Sequence, residues 1–119
     1  MQTGQLEAIK NEKFVHLTTI GRKSGKAHTV ELWFALEDGM VYLSHEGSLT
    51  DWMRNIEERG RVEARIGKLK FEADARIVGS GEPREKGKHA LYEKYYGPAT
   101  KAVIDDWFSL SKVVQMKPL

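Results

Sequence analysis

Val62-Glu63-Ala64-Arg65-Ile66-Gly67-Lys68-Leu69-Lys70-Phe71-Glu72-Ala73-Asp74-Ala75 decides the fold class. Val62, Ala64 and Ile66 alternate with charged neighbours, and Leu69, Phe71, Ala73 and Ala75 repeat the pattern. Successive side chains of a strand point to opposite faces, so each half has one buried and one wet face. Gly67-Lys68 between them is a tight-turn signal that pairs the halves as a hairpin. Antiparallel sheet is therefore the expectation for the whole chain.

Upstream, Phe14 to Ile20 is rich in aromatic and β-branched residues and reads as a strand. It stops at Gly21-Arg22-Lys23-Ser24-Gly25-Lys26, a basic turn between two glycines. Thr29 to Leu36 reads as one strand with Val30, Leu32 and Phe34 on one face. Glu37-Asp38-Gly39 is a second hairpin signal, and Met40 to Ser44 is its partner strand. Leu49, Trp52, Met53 and Ile56 fall at i, i+3, i+4 and i+7, one apolar helical face. Ser48 or Thr50 can cap that helix, Asp51 suits its positive end, and Gly60 can stop it.

Pro83 to Tyr96 is a further helix, with proline in the first turn and Gly97 at the stop. A short helix is expected between Pro98 and Trp107, and a last strand from Lys112 to Met116. Glu7 to Lys10 reads as a short helix or an ordered arm. The sum is an α+β fold of about six mostly antiparallel strands with two or three helices; edges in so small a sheet favour a partly open, split β-barrel. The 119 residues make one domain, residues 1–119.

The absence of cysteine excludes structural disulfides, thiolate nucleophiles and cysteine metal sites. Nineteen Lys and Arg against seventeen Asp and Glu leave a net charge of +2, too balanced for a dedicated nucleic-acid binder. No apolar run approaches the ~18–20 residues of a membrane helix, and Met1 to Lys13 has no signal-peptide pattern. A cytoplasmic protein is the expectation.

The basic turn is the most informative stretch for chemistry. Arg22, Lys23 and Lys26 put three cations in six residues with no acid, and Ser24 adds a hydroxyl. Glycines there let backbone N–H groups face an anion, so a phosphate or carboxylate seat competes evenly with a merely solvated hairpin. The required order of a Walker loop is absent. Ser44-His45-Glu46-Gly47 leads into the amphipathic helix, whose N-terminus carries free N–H donors. If the barrel brings that turn beside Gly21–Lys26, the two form one anion pocket. His16, His28, His45 and His89 show no metal-ligand spacing, and no metal is expected. Trp33, Trp52 and Trp107 read as core residues, while Tyr92, Tyr95 and Tyr96 cluster near a helix end.

Leu17-Thr18-Thr19-Ile20-Gly21-Arg22-Lys23-Ser24-Gly25-Lys26, followed by Leu32-Trp33-Phe34, resembles the deazaflavin (F420)-dependent nitroreductase family. Tyr42-Leu43-Ser44, Gly47 and Trp52-Met53-Arg54-Asn55-Ile56 extend the likeness, which runs to about Val78. The resemblance implies a split-barrel oxidoreductase that passes a hydride from reduced coenzyme F420, or in some relatives FMN, to an acceptor. It implies a cofactor site made of Arg22, Lys23, Ser24, Gly25, Lys26, His28, Ser44, His45, Gly47, Trp52 and Asn55. The acceptor would be a small quinone, enone or nitro compound, and a homodimer would close the site.

This chain departs from the family pattern in several places, one being Glu31 where relatives favour proline or a small residue. His28 stands where relatives often carry arginine, a conditional charge in place of a permanent one. Trp107 and Phe108 stand where some relatives have acceptor-pocket tyrosines, so no catalytic residue is assigned. An FMN-binding reductase and a non-catalytic flavin or deazaflavin carrier are the alternatives.

Overall fold

A computed structural model describes residues 3–119. The chain runs α1 (Thr3–Glu7), β1 (Phe14–Ile20), β2 (Ala27–Trp33), β3 (Ala35–Glu37), β4 (Met40–Glu46), α2 (Asp51–Glu58), β5 (Arg61–Ile66), β6 (Leu69–Val78), α3 (Gly81–Tyr96), α4 (Lys101–Trp107) and β7 (Ser111–Pro118). Seven strands form one sheet in the order β2-β1-β5-β6-β7-β4-β3, and every adjacent pair is antiparallel. The sheet curls into a half-barrel, as the split-barrel reading expects.

The alternation in β5 and β6 does what it predicts. Val62, Ala64 and Ile66 are buried and Arg61, Glu63 and Arg65 exposed, with Ala64 opposite Phe71 across the Gly67-Lys68 turn. Ala64 also faces Leu17, which faces Val30, so one row of inward side chains crosses four strands. Met53 and Ile56 of α2 seal that concave side against Leu17, Val41, Val114 and Met116. Each such side chain contributes about 1.5–3 kcal/mol when fully buried.

β4 and β7 are buried on both faces. Val41 and Leu43 point into the barrel, while Tyr42 points outward with Val113 into a second core beneath α3 and α4. The helix approaches closely there: a side chain on Gly87 would meet Tyr42 at 2.6 Å and Val113 at 2.8 Å. The protein thus has a barrel core capped by α2 and an outer core under α3 and α4.

Several expectations need correction. The strand expected over Thr29–Leu36 is two, β2 and β3, broken at Phe34, which raises the strand number from six to seven. Phe34 leaves the ladder because its side chain is fully buried while Tyr95 takes its backbone groups. Among the described residues there are four helices, not two or three, and α1 ends where the helix at Glu7–Lys10 was expected to begin. α2 stops at Glu58, with Arg59 as its C-cap; Gly60 serves instead as a close approach, since a Cβ there would meet the Ala75 carbonyl oxygen at 2.8 Å. Thr50 is the N-cap of α2, but its hydroxyl makes no capping bond. α4 starts at Lys101, not Pro98, because the Thr100 hydroxyl accepts from the Val103 N–H at 3.3 Å.

Candidate functional site

The basic turn hangs between β1 and β2, and α2 holds it in place through Asn55. This side chain is buried, and its carboxamide oxygen accepts the backbone N–H of Arg22 at 3.1 Å and Arg22 Nη1 at 3.0 Å. Its Nδ2 donates to Thr19 Oγ1 at 3.0 Å, which explains a threonine on the buried side of β1. Arg22 Nη2 also donates to Asp51 Oδ1 at 3.3 Å, at the start of the helix.

The turn closes on itself. Gly21 N–H donates to the Lys26 carbonyl at 2.8 Å, Gly25 N–H to the Gly21 carbonyl at 2.8 Å, and Lys26 N–H to Ser24 Oγ at 3.2 Å. Gly25 needs its freedom, since its φ is 71°. Together with Arg22, four of the six amides are therefore used inside the protein. What the turn offers an anion is chiefly side chains, not the ring of backbone donors expected of a glycine turn.

Those side chains line a cleft of about 570 Å³ at the barrel mouth, formed with Thr29 and Val30 of β2 and Asp51, Trp52 and Asn55 of α2. Arg22, Lys23, Ser24 and His28 are all in its wall. Arg22 is locked by Asn55 and Asp51, whereas Lys23 and Lys26 have no ion-pair partner among the described residues. Gly25 and Lys26 lie outside the wall, at the exposed tip. Trp52 is buried against the barrel core, as expected, and lends the cleft an apolar side.

Ser44 and His45 are not in this cleft. They line a second one, of about 530 Å³, on the outer layer between the end of β4 and the helices α3 and α4. Gly47, φ 89°, anchors the following turn by donating to the Leu110 carbonyl at 2.9 Å, and lines neither cleft. A single chain thus does not join the two turns into one pocket. The end of β4 sets Ser44 and His45 beside α3 and α4, away from α2 and the basic turn.

Aromatic rings build the second cleft. Trp33 stacks on Tyr95 with centroids 4.1 Å apart and 8° between planes, and Tyr96 contacts Trp107 at 5.0 Å and Tyr92 at 5.1 Å. Trp33 and Trp107, read from sequence as core, are 41% and 55% exposed. Their parity held a signal, since Val30 and Leu32 face the barrel and Trp33 must face outward. The Tyr95 hydroxyl accepts the Phe34 N–H at 3.0 Å and lies 2.7 Å from the Lys13 carbonyl and 2.9 Å from that of Phe34, either of which it can donate to. Burial pushes the Tyr95 phenol above its usual range, against the contrary pull of the Phe34 backbone bond.

Two lysines of α3 show opposite electrostatics. Lys94 is half-buried, its ammonium 3.5 Å from the centre of the Phe34 ring, and burial pushes its pKa down to about 8, with Glu12 acting weakly the other way. Lys88 is more deeply buried, and burial opposes its charge. Hydrogen-bonded carboxylates of Asp105 (2.7 Å) and Glu85 (2.9 Å) nevertheless outweigh that burial and raise its pKa. Hydrogen bonds from Lys101 and Lys88 hold Asp105 down at about 2. The Lys88 network ties α3 to α4.

A curled antiparallel half-barrel with a basic turn at its mouth places the protein in the split-barrel class. The model of the F420H(2)-dependent quinone reductase family matches residues 2–102, so the chain belongs to that family and is an F420-dependent oxidoreductase. It is similar to a solved F420-H2 dependent reductase, FDR-A, at 25% identity over 87% of this chain and 93% of that one, TM-score 0.66. It is also similar to the conserved hypothetical protein Rv2991 of Mycobacterium tuberculosis, at 22% identity over 99% and 84%, TM-score 0.79. The heme storage protein HutZ of Vibrio cholerae shares the fold at 15% identity over 98% and 89%, TM-score 0.71. One scaffold therefore serves different ligands, and the site must carry the functional argument. No curated protein matches the chain at a significant level.

Proposed function

We propose that this one-domain protein passes a hydride from reduced coenzyme F420 to a small electron-poor acceptor, a quinone, enone or nitro compound. The observation that carries the reading is the cation-lined cleft at the barrel mouth, with Lys23 in no ion pair among the described residues, in a chain of this family. Lys23, Ser24 and His28 are the groups for the cofactor's anionic phosphate and tail, with Lys26 at the rim. Arg22 adds charge while Asn55 keeps the turn in place. These residues fit an anionic group, because the wall has two cations and a histidine against one carboxylate, and that carboxylate is paired to Arg22.

When bound, the deazaflavin supplies the hydride; the protein's work is to bind, orient and keep water away. The aromatic cleft suits a planar acceptor, since rings offer stacking faces while Ser44 and His45 offer hydrogen bonds. Because the two clefts lie on different layers, we place the complete site across a homodimer, with the basic cleft of one protomer facing the aromatic cleft of its partner. Val103, Trp107 and Leu110 form the exposed apolar surface that such pairing would cover.

Parallel fluorescence titrations with coenzyme F420 and FMN test the cofactor. The deazaflavin should bind more tightly, and a stronger preference for FMN would move the protein to the FMN-reductase reading. Replacing Lys23 and His28 together by glutamate should weaken deazaflavin binding at least about a hundredfold, since charged hydrogen bonds contribute about 1.5–3 kcal/mol each. Unchanged affinity in that folded variant would put the site elsewhere. Bound reduced cofactor should be oxidised by menadione faster than free cofactor; an equal rate would mean a carrier. Sedimentation showing only monomer at micromolar concentration would remove the dimer.

A further inference from the structure

Where the break between β2 and β3 meets the end of α3, a smaller cleft of about 400 Å³ is lined by Asn11, Lys13, Trp33, Lys94 and Tyr95. It shares Trp33 and Tyr95 with the aromatic cleft, so the stacked pair is a wall common to both. Two cations line it; neither makes a direct ion pair among the described residues, although the Glu12 carboxylate acts weakly on Lys94. The Lys13 ammonium rests near the rings of Phe14 and Trp33, at 5.4 and 5.9 Å from their centres. Lys94 donates to the Glu12 carbonyl at 2.6 Å, which uses one of its three N–H donors. Burial holds Lys94 down at about pKa 8, and a nearby anion would relieve that cost.

We propose that the acceptor is an anionic planar molecule, a ring bearing a carboxylate, whose ring lies in the aromatic cleft and whose carboxylate docks against Lys13 and Lys94. The inference rests on the reading of the aromatic cleft as the acceptor site. A ring against the Trp33–Tyr95 pair brings a substituent at its edge into the adjoining cleft, where the Asn11 carboxamide adds a neutral donor. A neutral quinone or nitroarene can stack in the same place but brings no charge to Lys13, and leaves Lys94 with only the weak influence of Glu12. The basic turn does not compete for this carboxylate, because its cleft lies at the barrel mouth beside α2.

Calorimetric titration of the F420-loaded protein with 2-naphthoate and with 2-naphthamide tests this, since the two differ only in charge at the ring substituent. Naphthoate should bind about tenfold or more tightly. Lys13→Gln should remove several-fold of that advantage without touching naphthamide affinity, and adding Lys94→Gln should remove the remainder. Lys13 makes no side-chain hydrogen bond among the described residues, so the single variant decides the matter even if loss of Lys94 unfolds the arm it holds. If naphthamide binds and naphthoate binds no better, the inference fails while the acceptor-cleft reading stands. If neither binds, both fail. If Lys13→Gln weakens the coenzyme and not naphthoate, the lysines serve the cofactor's acidic tail and the inference is overturned.

Discussion

The carboxamide oxygen of Asn55 accepts two hydrogen bonds from Arg22, one from its backbone at 3.1 Å and one from its guanidinium at 3.0 Å. A buried helix residue thereby sets where the basic turn begins, and Asn55 Nδ2 donates to Thr19 Oγ1. Asn55→Ala should cost about 1–3 kcal/mol in urea denaturation, because it leaves buried polar groups on Thr19 and Arg22 without a partner. Deazaflavin affinity should fall with it, although Asn55 acts by positioning. Asn55→Asp keeps the acceptor for Arg22 and loses the donor to Thr19, so it should lie between. Unaltered stability in the alanine variant would show that the turn holds itself.

Gly87 of α3 lies against Tyr42 and Val113, both buried in the outer core. Alanine is the better helix former by about 1 kcal/mol, but neither neighbour can yield to a Cβ at 2.6–2.8 Å. Overpacking costs about 1–3 kcal/mol, so Gly87→Ala should lower Tm on balance. A raised Tm would mean that α3 can lift off the sheet without loss.

Tyr95→Phe keeps the stack on Trp33 and removes only the hydroxyl that accepts the Phe34 N–H and donates to the Lys13 or the Phe34 carbonyl. The expected loss is about 1–3 kcal/mol, with faster hydrogen exchange at the Phe34 amide than in the parent. Exchange at the parent rate would assign protection there to burial alone.

Lys94 makes stability depend on alkaline pH. Its folded pKa, about 8, lies below the ordinary 10.5, so between those values the unfolded chain binds more protons. Stability should therefore rise as pH increases from about 8 towards 10, and this contribution should vanish in Lys94→Met. Above pH 10 the raised pKa values of Tyr95 and Lys86 act in the opposite direction. A parent protein with a flat profile from pH 8 to 10 would contradict the burial of the ammonium.

Asp105 provides the acid counterpart. Its carboxyl is held at about 2 against an ordinary 3.8, so its contribution is present above about pH 4 and is lost as pH falls towards 2. Asp105→Asn should lower stability at neutral pH and flatten the acid limb of the profile. An unchanged acid limb would mean that Lys88 is satisfied by Glu85 alone.

The sequence by itself determined the strands, their antiparallel pairing and the helix that caps the barrel. Alternation in Val62–Ala75, the two hairpin turns and the i, i+3, i+4 spacing of Trp52, Met53 and Ile56 are local signals, set by pleat and helical pitch. It also held the family likeness in Leu17–Lys26, and it was that likeness, not any local spacing, that grouped Trp52 and Asn55 with Arg22, Lys23, Ser24 and His28. Tertiary structure alone decided what each of these does. Asn55 could be known as a tether only once α2 lay against β1, thirty-three residues from Arg22. Ser44 and His45 parted from the basic turn because the end of β4 lies beside α3 and α4 and not beside α2. The break at Phe34, the exposure of Trp33 and Trp107, and the pairing of Lys13 with Lys94 beside one cleft all depend on where α3 comes to rest. No local periodicity encodes that position, since it follows from a close approach at Gly87 and from a phenol reaching sixty-one residues back to Phe34.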